Sequence, residues 1–551
     1  MEDVRSLLYS GFFFHLTQSL TTLEIHDQAV PLLLKVYSKC ISLHVRYDFQ
    51  VEPSEVEAEE IRCIFAVIPR LVFFSFEGKF DPTAIFEFEK RTDLKHLEQV
   101  LFFKSSIMDL GPFVECKSLT RLRLNEVVFG ASEGKIIANV FANNQNLVKL
   151  ALNGAQLQQD SLDSIMDELE SHTRLLCLFL GENGIGLKEM KKLAPILSRM
   201  TQLKALRLDG NSFEDEGAIM LAGALRKLKL NTLDLDCCEF GGTGMKEIFG
   251  SIAEKNELIH LQMSENVIEE DFDQEEIAAS LAMLTKLRLL ELSGCGVDER
   301  CIKSVKRLTR LKHFWVNLNH IQEKEDVFAD SIRNLNLERL VVQDAGISLG
   351  GINTISEALE GHVDLNYFSV DGNSFGDQGM KSINENLRKL SRIEMLGLGD
   401  CDISEADELV EFMQRNVDLK EIYLRNNPFE ADSFYKICEC FAKLCKLESL
   451  VLSECKFGDE GAKQLSRTLR VLPNFRELHI DNNAIKGEGM VEICRALQDT
   501  RLIKFMTIST NLLDKEAFKA LEDLQLACPD LIFMTEDEEE DSEDEDSEEE
   551  E

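Results

Sequence analysis

The sequence predicts an α/β solenoid in which a short strand, a turn and an amphipathic helix repeat along the chain. Three observations indicate this fold. A six-residue apolar block recurs at a nearly fixed interval, residues inside the block alternate with period two, and apolar residues at helical spacing follow it. The mean interval is about 27 residues. The blocks begin at Leu119, Leu147, Leu175, Leu203, Leu230, Leu258, Leu287, Leu311, Leu337, Leu365, Ile393, Leu419, Leu447, Phe475 and Leu502.

The block beginning at Leu203 shows how one unit is built. Leu203, Leu206 and Leu208 are expected to point inward, while Arg207 points to the opposite face of a short strand. Apolar residues between 218 and 225 follow at helical spacing. One unit cannot bury its own apolar face, so neighbours must stack, and helices are wider than the ~4.8 Å between strands. The pattern is typical of a right-handed leucine-rich repeat solenoid, a horseshoe with a parallel β-sheet on the concave face and helices on the convex face.

One position after each strand alternates between asparagine and a small residue. From Asn211 onward it reads Asn211, Cys238, Asn266, Cys295, Asn319, Ala345, Asn373, Cys401, Asn427, Cys455 and Asn483. An inward amide can bond the backbone groups that the turn leaves unpaired, and a buried thiol can do so more weakly. We therefore predict a structural role for these residues. The alternation of two repeat types resembles ribonuclease inhibitor and its relatives, including the RanGAP proteins.

The repeats divide the chain into three predicted regions. Residues 1–96 are interpreted as degenerate N-terminal repeats or a cap, with a separate small domain as the alternative. Residues 97–534 form the solenoid, in which the shorter intervals around Leu287, Leu311 and Leu337 predict shortened helices. Residues 535–551 are predicted to be a disordered acidic tail, in which Ser542 and Ser547 are candidate phosphorylation sites because acidophilic kinases favour such a context.

The composition and charge of the chain exclude several classes of function. The formal net charge is −39, and residues 536–551 contain fourteen Asp or Glu, which argues against direct nucleic-acid binding and favours a basic protein partner. No apolar run approaches the ~20 residues needed to cross a membrane. The fifteen cysteines are an odd count without a disulfide or zinc spacing, and together with the lack of a secretory start they predict the cytosol or the nucleus. No catalytic or metal-binding motif is found, so we expect neither an enzyme nor a cofactor.

What remains is a recognition surface on the predicted concave face. Aromatic residues exposed among charges are the usual anchors of protein interfaces. The candidates are Arg121, Arg123, Phe179, Arg207, His313, Trp315, Tyr367, Tyr423 and Arg425. For Trp315, the alternative is that its ring fills a gap beside the short repeat.

The chain resembles the RanGAP proteins over residues 97–551. The resemblance lies in the repeat length, in Phe-Gly and Ile-Gly turns such as Phe129-Gly130 and Ile185-Gly186, and in the acidic tail. It implies activation of GTP hydrolysis by a Ran-type small GTPase, a role in nucleocytoplasmic transport at the nuclear envelope, and a GTPase contact at Asn183. The family's Gly-Arg turn has no counterpart, because the stretch 92–120 lacks arginine. The alternative function is a non-catalytic scaffold, or an inhibitor, that binds a basic protein.

Overall fold

The structure is a computed structural model. It describes residues 22–26, 42–46, 73–77, 97–103, 106–107, 111–129, 133–155, 157, 159–529 and 531–534. The chain divides into two compact units, Met1–Asp273 and Gln274–Glu551, and each is described by itself.

The first unit alternates strands with helices from residue 111 onward. Its described strands are β1 (Thr22–His26), β2 (Ser42–Arg46), β3 (Phe73–Glu77), β4 (Gln99–Phe103), β5 (Ser106–Ile107), β6 (Arg121–Asn125), β7 (Val128–Phe129), β8 (Lys149–Ala151), β9 (Cys177–Phe179), β10 (Ala205–Arg207), β11 (Thr232–Asp234) and β12 (His260–Gln262). Its described helices are α1 (Glu133–Asn143), α2 (Gln159–Leu169), α3 (Leu187–Leu197), α4 (Glu214–Leu225) and α5 (Gly242–Ala253), with a 3-10 helix at Gly111–Glu115.

The second unit repeats the same order. Its described strands are β13 (Leu289–Glu291), β14 (His313–Trp315), β15 (Arg339–Val341), β16 (Tyr367–Ser369), β17 (Met395–Gly397), β18 (Glu421–Tyr423), β19 (Ser449–Val451), β20 (Glu477–His479), β21 (Phe505–Thr507) and β22 (Ile532–Met534). Its helices are α6 (Glu275–Leu281), α7 (Glu299–Ser304), α8 (Glu325–Ile332), α9 (Leu349–Leu359), α10 (Gly376–Asn386), α11 (Asp407–Arg415), α12 (Ala431–Phe441), α13 (Gly458–Leu469), α14 (Gly487–Thr500) and α15 (Lys515–Ala527), with a 3-10 helix at Val305–Arg307.

Within each unit, the strands of the main sheet pair in parallel with their neighbours in the chain, as β9, β10 and β11 do. The register places the central leucines side by side, so that Leu178, Leu206 and Leu233 are adjacent and inaccessible to solvent. Strands β5 and β7 form a separate two-stranded sheet. The α/β leucine-rich repeat solenoid predicted from the sequence is confirmed.

The predicted blocks begin two residues before their strands, with one error at the last of them. Leu502 is 38% exposed, whereas Ile503 is buried and is followed by buried Met506 and Ile508. The spacing of the inward residues therefore places the start of this block at Ile503. Assigning it to Leu502 was wrong by one residue, because a leucine stands immediately before the true first position.

The alternating asparagine and cysteine residues have the predicted structural role. The Nδ2 of Asn266 donates hydrogen bonds to the carbonyl oxygens of Leu235 and Met263 at 2.8 and 3.0 Å. Its Oδ1 accepts the backbone N–H of Cys238 at 3.0 Å. The Cys238 thiol donates to the Leu208 carbonyl at 3.2 Å, and burial raises its pKa. The repeats are therefore joined by side chains as well as by the sheet.

The short intervals correspond to short helices. Helices α6, α7 and α8 have seven, six and eight residues, whereas α9 and α10 have eleven each. The prediction of shortened helices in this region is confirmed.

The predicted regions 1–96, 97–534 and 535–551 remain predictions. Strands β1, β2 and β3 pair in parallel with one another, and β3 pairs with β4. This arrangement is what degenerate repeats would show, although only these strands are described before residue 97. The tail, with Ser542 and Ser547, lies outside the described residues.

The described residues contain neither a membrane-spanning helix nor a group of metal-binding side chains. No helix there has the length and apolar composition needed to cross a bilayer. In the same part of the chain, no three His, Cys, Asp or Glu side chains are grouped so that they could hold a metal ion.

Candidate partner-binding surfaces

The residues on either side of each central leucine form the open face of the sheet, which is the face opposite the buried leucine side chains. On β10, for example, Leu206 is buried while Ala205 and Arg207 are partly exposed. The same pattern holds on β14, where Phe314 is buried between His313 and Trp315. The candidate residues on strands therefore lie on the open face, as predicted.

Four candidates of the first unit come together with Lys149 in what we call the basic patch, which consists of Arg121, Arg123, Lys149, Phe179 and Arg207. The Lys149 ammonium lies 4.6 Å from the centroid of the Phe179 ring, and the Arg207 guanidinium lies 5.8 Å from it. Both distances are within the range of cation–π attraction. Phe179 thus holds two cations on neighbouring strands.

The cationic side chains of the basic patch are partly buried. Burial lowers the pKa of Arg123. Burial also lowers the pKa of Lys149, and the positive charges of Arg123, Arg121 and Arg207 lower it further. Arg207 differs because its guanidinium pairs with the Asp234 carboxylate at 2.7 Å. Positive charge is therefore concentrated around Lys149, and an anion bound there would relieve the repulsion.

Four candidates of the second unit form a different surface together with Arg339. We call it the aromatic patch, and it consists of His313, Trp315, Arg339, Tyr367 and Tyr423. The rings of His313 and Trp315 meet edge to face with centroids 5.7 Å apart. The Arg339 guanidinium lies 5.4 Å from the centroid of the Tyr367 ring. Except for Arg339, which is exposed, these side chains are about half-buried, as interface anchors commonly are before a partner binds.

The two tyrosines of the aromatic patch keep their hydroxyl protons. Burial raises the pKa of Tyr367, and the Glu421 carboxylate raises it further. Burial and Glu421 likewise raise the pKa of Tyr423, whose hydroxyl donates to the Glu421 carboxylate at 3.4 Å. At neutral pH both rings are therefore uncharged, and each hydroxyl oxygen can accept a hydrogen bond from a cationic side chain of a partner.

Small side chains separate Trp315 from Tyr423 in the sheet. Along this row the register runs from Trp315 through Val341, Ser369 and Gly397 to Tyr423. Val341 and Ser369 are buried although they lie on the open face, so neighbouring side chains cover them. The aromatic patch is therefore a packed layer.

Gly397 is required by this packing. A Cβ at this position would lie 2.5 Å from Ser369 Oγ and would overlap the Asp371 carboxylate. We expect Gly397→Ala to lower the free energy of unfolding by about 1–3 kcal/mol, as overpacking does. Gly223→Ala is the control, because its Cβ meets open space on helix α4 and should stabilise by up to about 1 kcal/mol. Urea unfolding followed by circular dichroism measures both, and equal midpoints would contradict the prediction.

Asp371 is a buried carboxylate that follows strand β16, two residues after Ser369. It accepts hydrogen bonds from the Gly399 backbone N–H at 2.6 Å, from Gln343 Nε2 at 3.0 Å and from the Ser369 hydroxyl. Burial raises its pKa, although these hydrogen bonds oppose the shift. The folded chain therefore binds this proton more tightly than the unfolded chain does.

The raised pKa of Asp371 predicts a pH dependence of stability. Its contribution is fully present below the ordinary Asp pKa of about 3.9 and is lost as the pH rises through the raised folded value. Compared with Asp371→Asn, the native chain should therefore gain stability as the pH is lowered from about 7 to about 4. Urea midpoints of both proteins at the two pH values test this, and a constant difference would contradict it.

The remaining candidates lie elsewhere. Arg425 is exposed beyond β18 and pairs with Asp400 at 2.8 Å. Asn183 is 5% exposed, and its Nδ2 donates to the carbonyl oxygens of Leu152 and Gly181 at 2.8 Å each. Asn183 thus occupies the same structural position as Asn211, and a GTPase contact at this residue stays a prediction.

Two contributions to these surfaces are not specified by the sequence. Lys149 stands at an open-face position of its block, but only the structure shows its ammonium over Phe179. Asp371 follows its strand as an ordinary polar residue, and no sequence signal distinguishes it from the exposed carboxylates of this acidic chain. Both depend on contacts between different repeats.

Comparisons with known proteins agree with this architecture. Residues 200–222, 227–249, 443–466 and 471–494 match the family described as Leucine Rich repeat. The repeats are leucine-rich repeats. Mouse ribonuclease inhibitor is 20% identical over 424 residues, which cover 73% of this chain and 92% of the inhibitor. Pig ribonuclease inhibitor is 24% identical over 58% of this chain and 73% of its own length.

A second group of relatives is much longer than the aligned region. Human NACHT, LRR and PYD domains-containing protein 5 is 24% identical over 398 residues, or 71% of this chain. The chain spans only 29% of that protein's length. These leucine-rich repeats are therefore similar both to an inhibitor along most of its length and to part of a larger protein.

Proposed function

We propose that this leucine-rich repeat chain is a non-catalytic scaffold or inhibitor that binds a basic protein through the aromatic patch of its second unit. The observation that carries the proposal is the group of half-buried rings, Trp315, Tyr367 and Tyr423, on the open face. Such rings supply most of the binding free energy in protein interfaces because they bury large areas at low entropic cost.

The charges around the aromatic patch favour a basic partner. Glu421 lies beside both tyrosines, and Glu477 acts on the pKa of Tyr423 as well. Glu338 lies 3.8 Å from the His313 ring. Carboxylates at the rim attract cationic side chains and speed the encounter of oppositely charged proteins. The similarity to ribonuclease inhibitor, whose name describes binding to an enzyme, supports the same interpretation.

Activation of a Ran-type GTPase is the second candidate. It depends on the RanGAP resemblance and on Asn183, and the relatives found favour a binding protein instead. A single-turnover GTP hydrolysis assay with Ran separates the two functions. We expect no acceleration at micromolar chain, whereas an acceleration that Asn183→Ala abolishes would favour the activator.

The proposed binding function can be tested with a panel of basic proteins that includes a basic secretory ribonuclease. Each protein is titrated against the chain by isothermal calorimetry, before and after acetylation of its lysines. We expect at least one basic protein to bind, and acetylation to weaken binding because it removes the charges that the carboxylates attract. The proposal would be contradicted if no basic protein bound. It would also be contradicted if acetylation left the affinity unchanged.

We further propose that the chain acts in the cytosol or nucleus. The support is its set of thirteen described cysteines, all of which are free thiols. A fluorescent fusion viewed in cells tests this, and accumulation in the secretory pathway would contradict it.

A further inference from the structure

The first unit carries a surface of opposite charge to the rest of the chain. Strands β6, β8, β9 and β10 present nine open-face positions, of which four are basic and none is acidic. These positions are Arg121, Arg123, Asn125, Lys149, Ala151, Cys177, Phe179, Ala205 and Arg207. In a chain of net charge −39, such a cluster needs an explanation beyond solubility.

The basic patch is more than a group of solvated surface charges. Lys149 stacks on Phe179 at 4.6 Å, and three arginines act on the Lys149 charge. Arg207 is paired with the Asp234 and Asp209 carboxylates at 2.7 and 3.4 Å, whereas the partly buried Lys149 ammonium lies among three arginines. Partial burial and like charges destabilise the charged form of Lys149, and an anion bound there would offset that cost.

The dimensions of the basic patch limit the ligand. Four neighbouring strands at ~4.8 Å spacing place the outer two about 14 Å apart. An extended peptide covers that distance with about four residues. Carboxylates border the basic patch on one side. Asp209 follows β10 and lies 3.4 Å from the Arg207 guanidinium, and the next strand, β11, carries Asp234, with Asp236 after it.

The carboxylates beside the basic patch favour a peptide over a nucleic acid as its ligand. A polynucleotide carries its charge along its whole backbone, so it would run from the basic patch onto Asp234 and Asp236. A short acidic segment can end before them. Phe179 adds an apolar surface on which one aromatic or aliphatic side chain of the segment can pack.

We propose that the basic patch binds a short acidic segment of a partner protein, about four to six residues long, whose carboxylates pair with Arg121 and Lys149. One apolar side chain of the segment packs against Phe179. This site is independent of the aromatic patch, because it lies in the other unit and takes the opposite charge.

Fluorescence anisotropy of the full chain with a labelled hexapeptide, Asp-Phe-Asp-Glu-Asp-Glu, tests the proposal. Arg121→Glu and Lys149→Glu should each weaken binding by about tenfold, because attraction becomes repulsion. Lys227→Glu makes the same change of charge at an exposed lysine just after helix α4 and should leave the affinity within about twofold. Circular dichroism confirms that each variant is folded.

Three results would overturn the proposal. The first is equal weakening by Lys227→Glu, which would indicate only long-range attraction. The second is tighter binding of a single-stranded RNA oligonucleotide than of the peptide. The third is peptide binding that appears only after removal of residues 536–551, which would identify the chain's own acidic tail as the occupant. Loss of peptide binding would leave binding of basic proteins to the aromatic patch unaffected, so the two proposals fail separately.

Discussion

Replacement of Asn373 by alanine is expected to lower the free energy of unfolding by about 3–5 kcal/mol. This residue is 1% exposed, and its Nδ2 donates to the carbonyl oxygens of Val342 and Val370 at 2.9 and 2.8 Å. Its Oδ1 accepts the backbone N–H groups of Ala345 and Ile347 at 3.3 and 2.9 Å. Alanine leaves three of these buried groups without partners and leaves the Val370 carbonyl with only the weak Cys401 thiol at 3.5 Å. Each unpaired group costs about 1–3 kcal/mol before relaxation.

Cys401→Ala is the matched control for Asn373→Ala. Cys401 stands at the equivalent position of the next repeat, and its thiol contacts the carbonyl oxygens of Gly399 and Val370 at 3.2 and 3.5 Å. Because a thiol is a weak donor, we expect a loss of about 1–2 kcal/mol. Urea unfolding followed by circular dichroism measures both variants. A loss for Asn373→Ala no larger than that for Cys401→Ala would contradict the proposed role of the amide.

The second large effect is expected on binding. Trp315→Ala and Tyr423→Ala should each weaken the complex with a basic partner by about 2–4 kcal/mol, which is typical of central aromatic anchors. The two residues lie four strands apart in the register, so their effects should be close to additive. Calorimetric titration with the tightest protein of the basic panel measures the dissociation constants.

Tyr435→Ala provides the control for these truncations. Tyr435 is 46% exposed on helix α12, away from the open face, so its loss removes an aromatic ring without touching the aromatic patch. We expect a change below about 0.5 kcal/mol. If Tyr435→Ala weakened binding as much as Trp315→Ala, the partner would not be bound by the aromatic patch. If none of the three substitutions weakened binding, the affinity would depend on charge alone.

Much of the solenoid follows from sequence because its contacts are local and periodic. Leu206 and Leu233 are equivalent residues of successive blocks, and their separation along the chain fixes which strands become neighbours. The Asn and Cys positions could be predicted for the same reason, since every turn leaves the same backbone groups unpaired. The misplaced block start at Leu502 shows the limit, because an additional leucine in front of Ile503 satisfies the same pattern.

The candidate surfaces were predicted only as a set of open-face positions. Sequence could place Phe179 and Trp315 on that face, but it could not show that Lys149 lies over Phe179 or that His313 meets Trp315 edge to face. Side-chain rotamers decide these contacts, and the repeat period does not constrain rotamers. The sequence also could not show that Ser369 and Asp371 are buried and hydrogen-bonded to each other.

The sequence alone determined the α/β solenoid and the order of its strands, because a period of about 27 residues allows each apolar face to be buried only by its neighbours. Only the tertiary structure separated the open face into a basic patch and an aromatic patch. The physical reason is that charge and aromatic character act between side chains of different repeats. Whether Lys149 and Arg207 share Phe179 is decided by distances across strands, and residue spacing along the chain does not specify those distances.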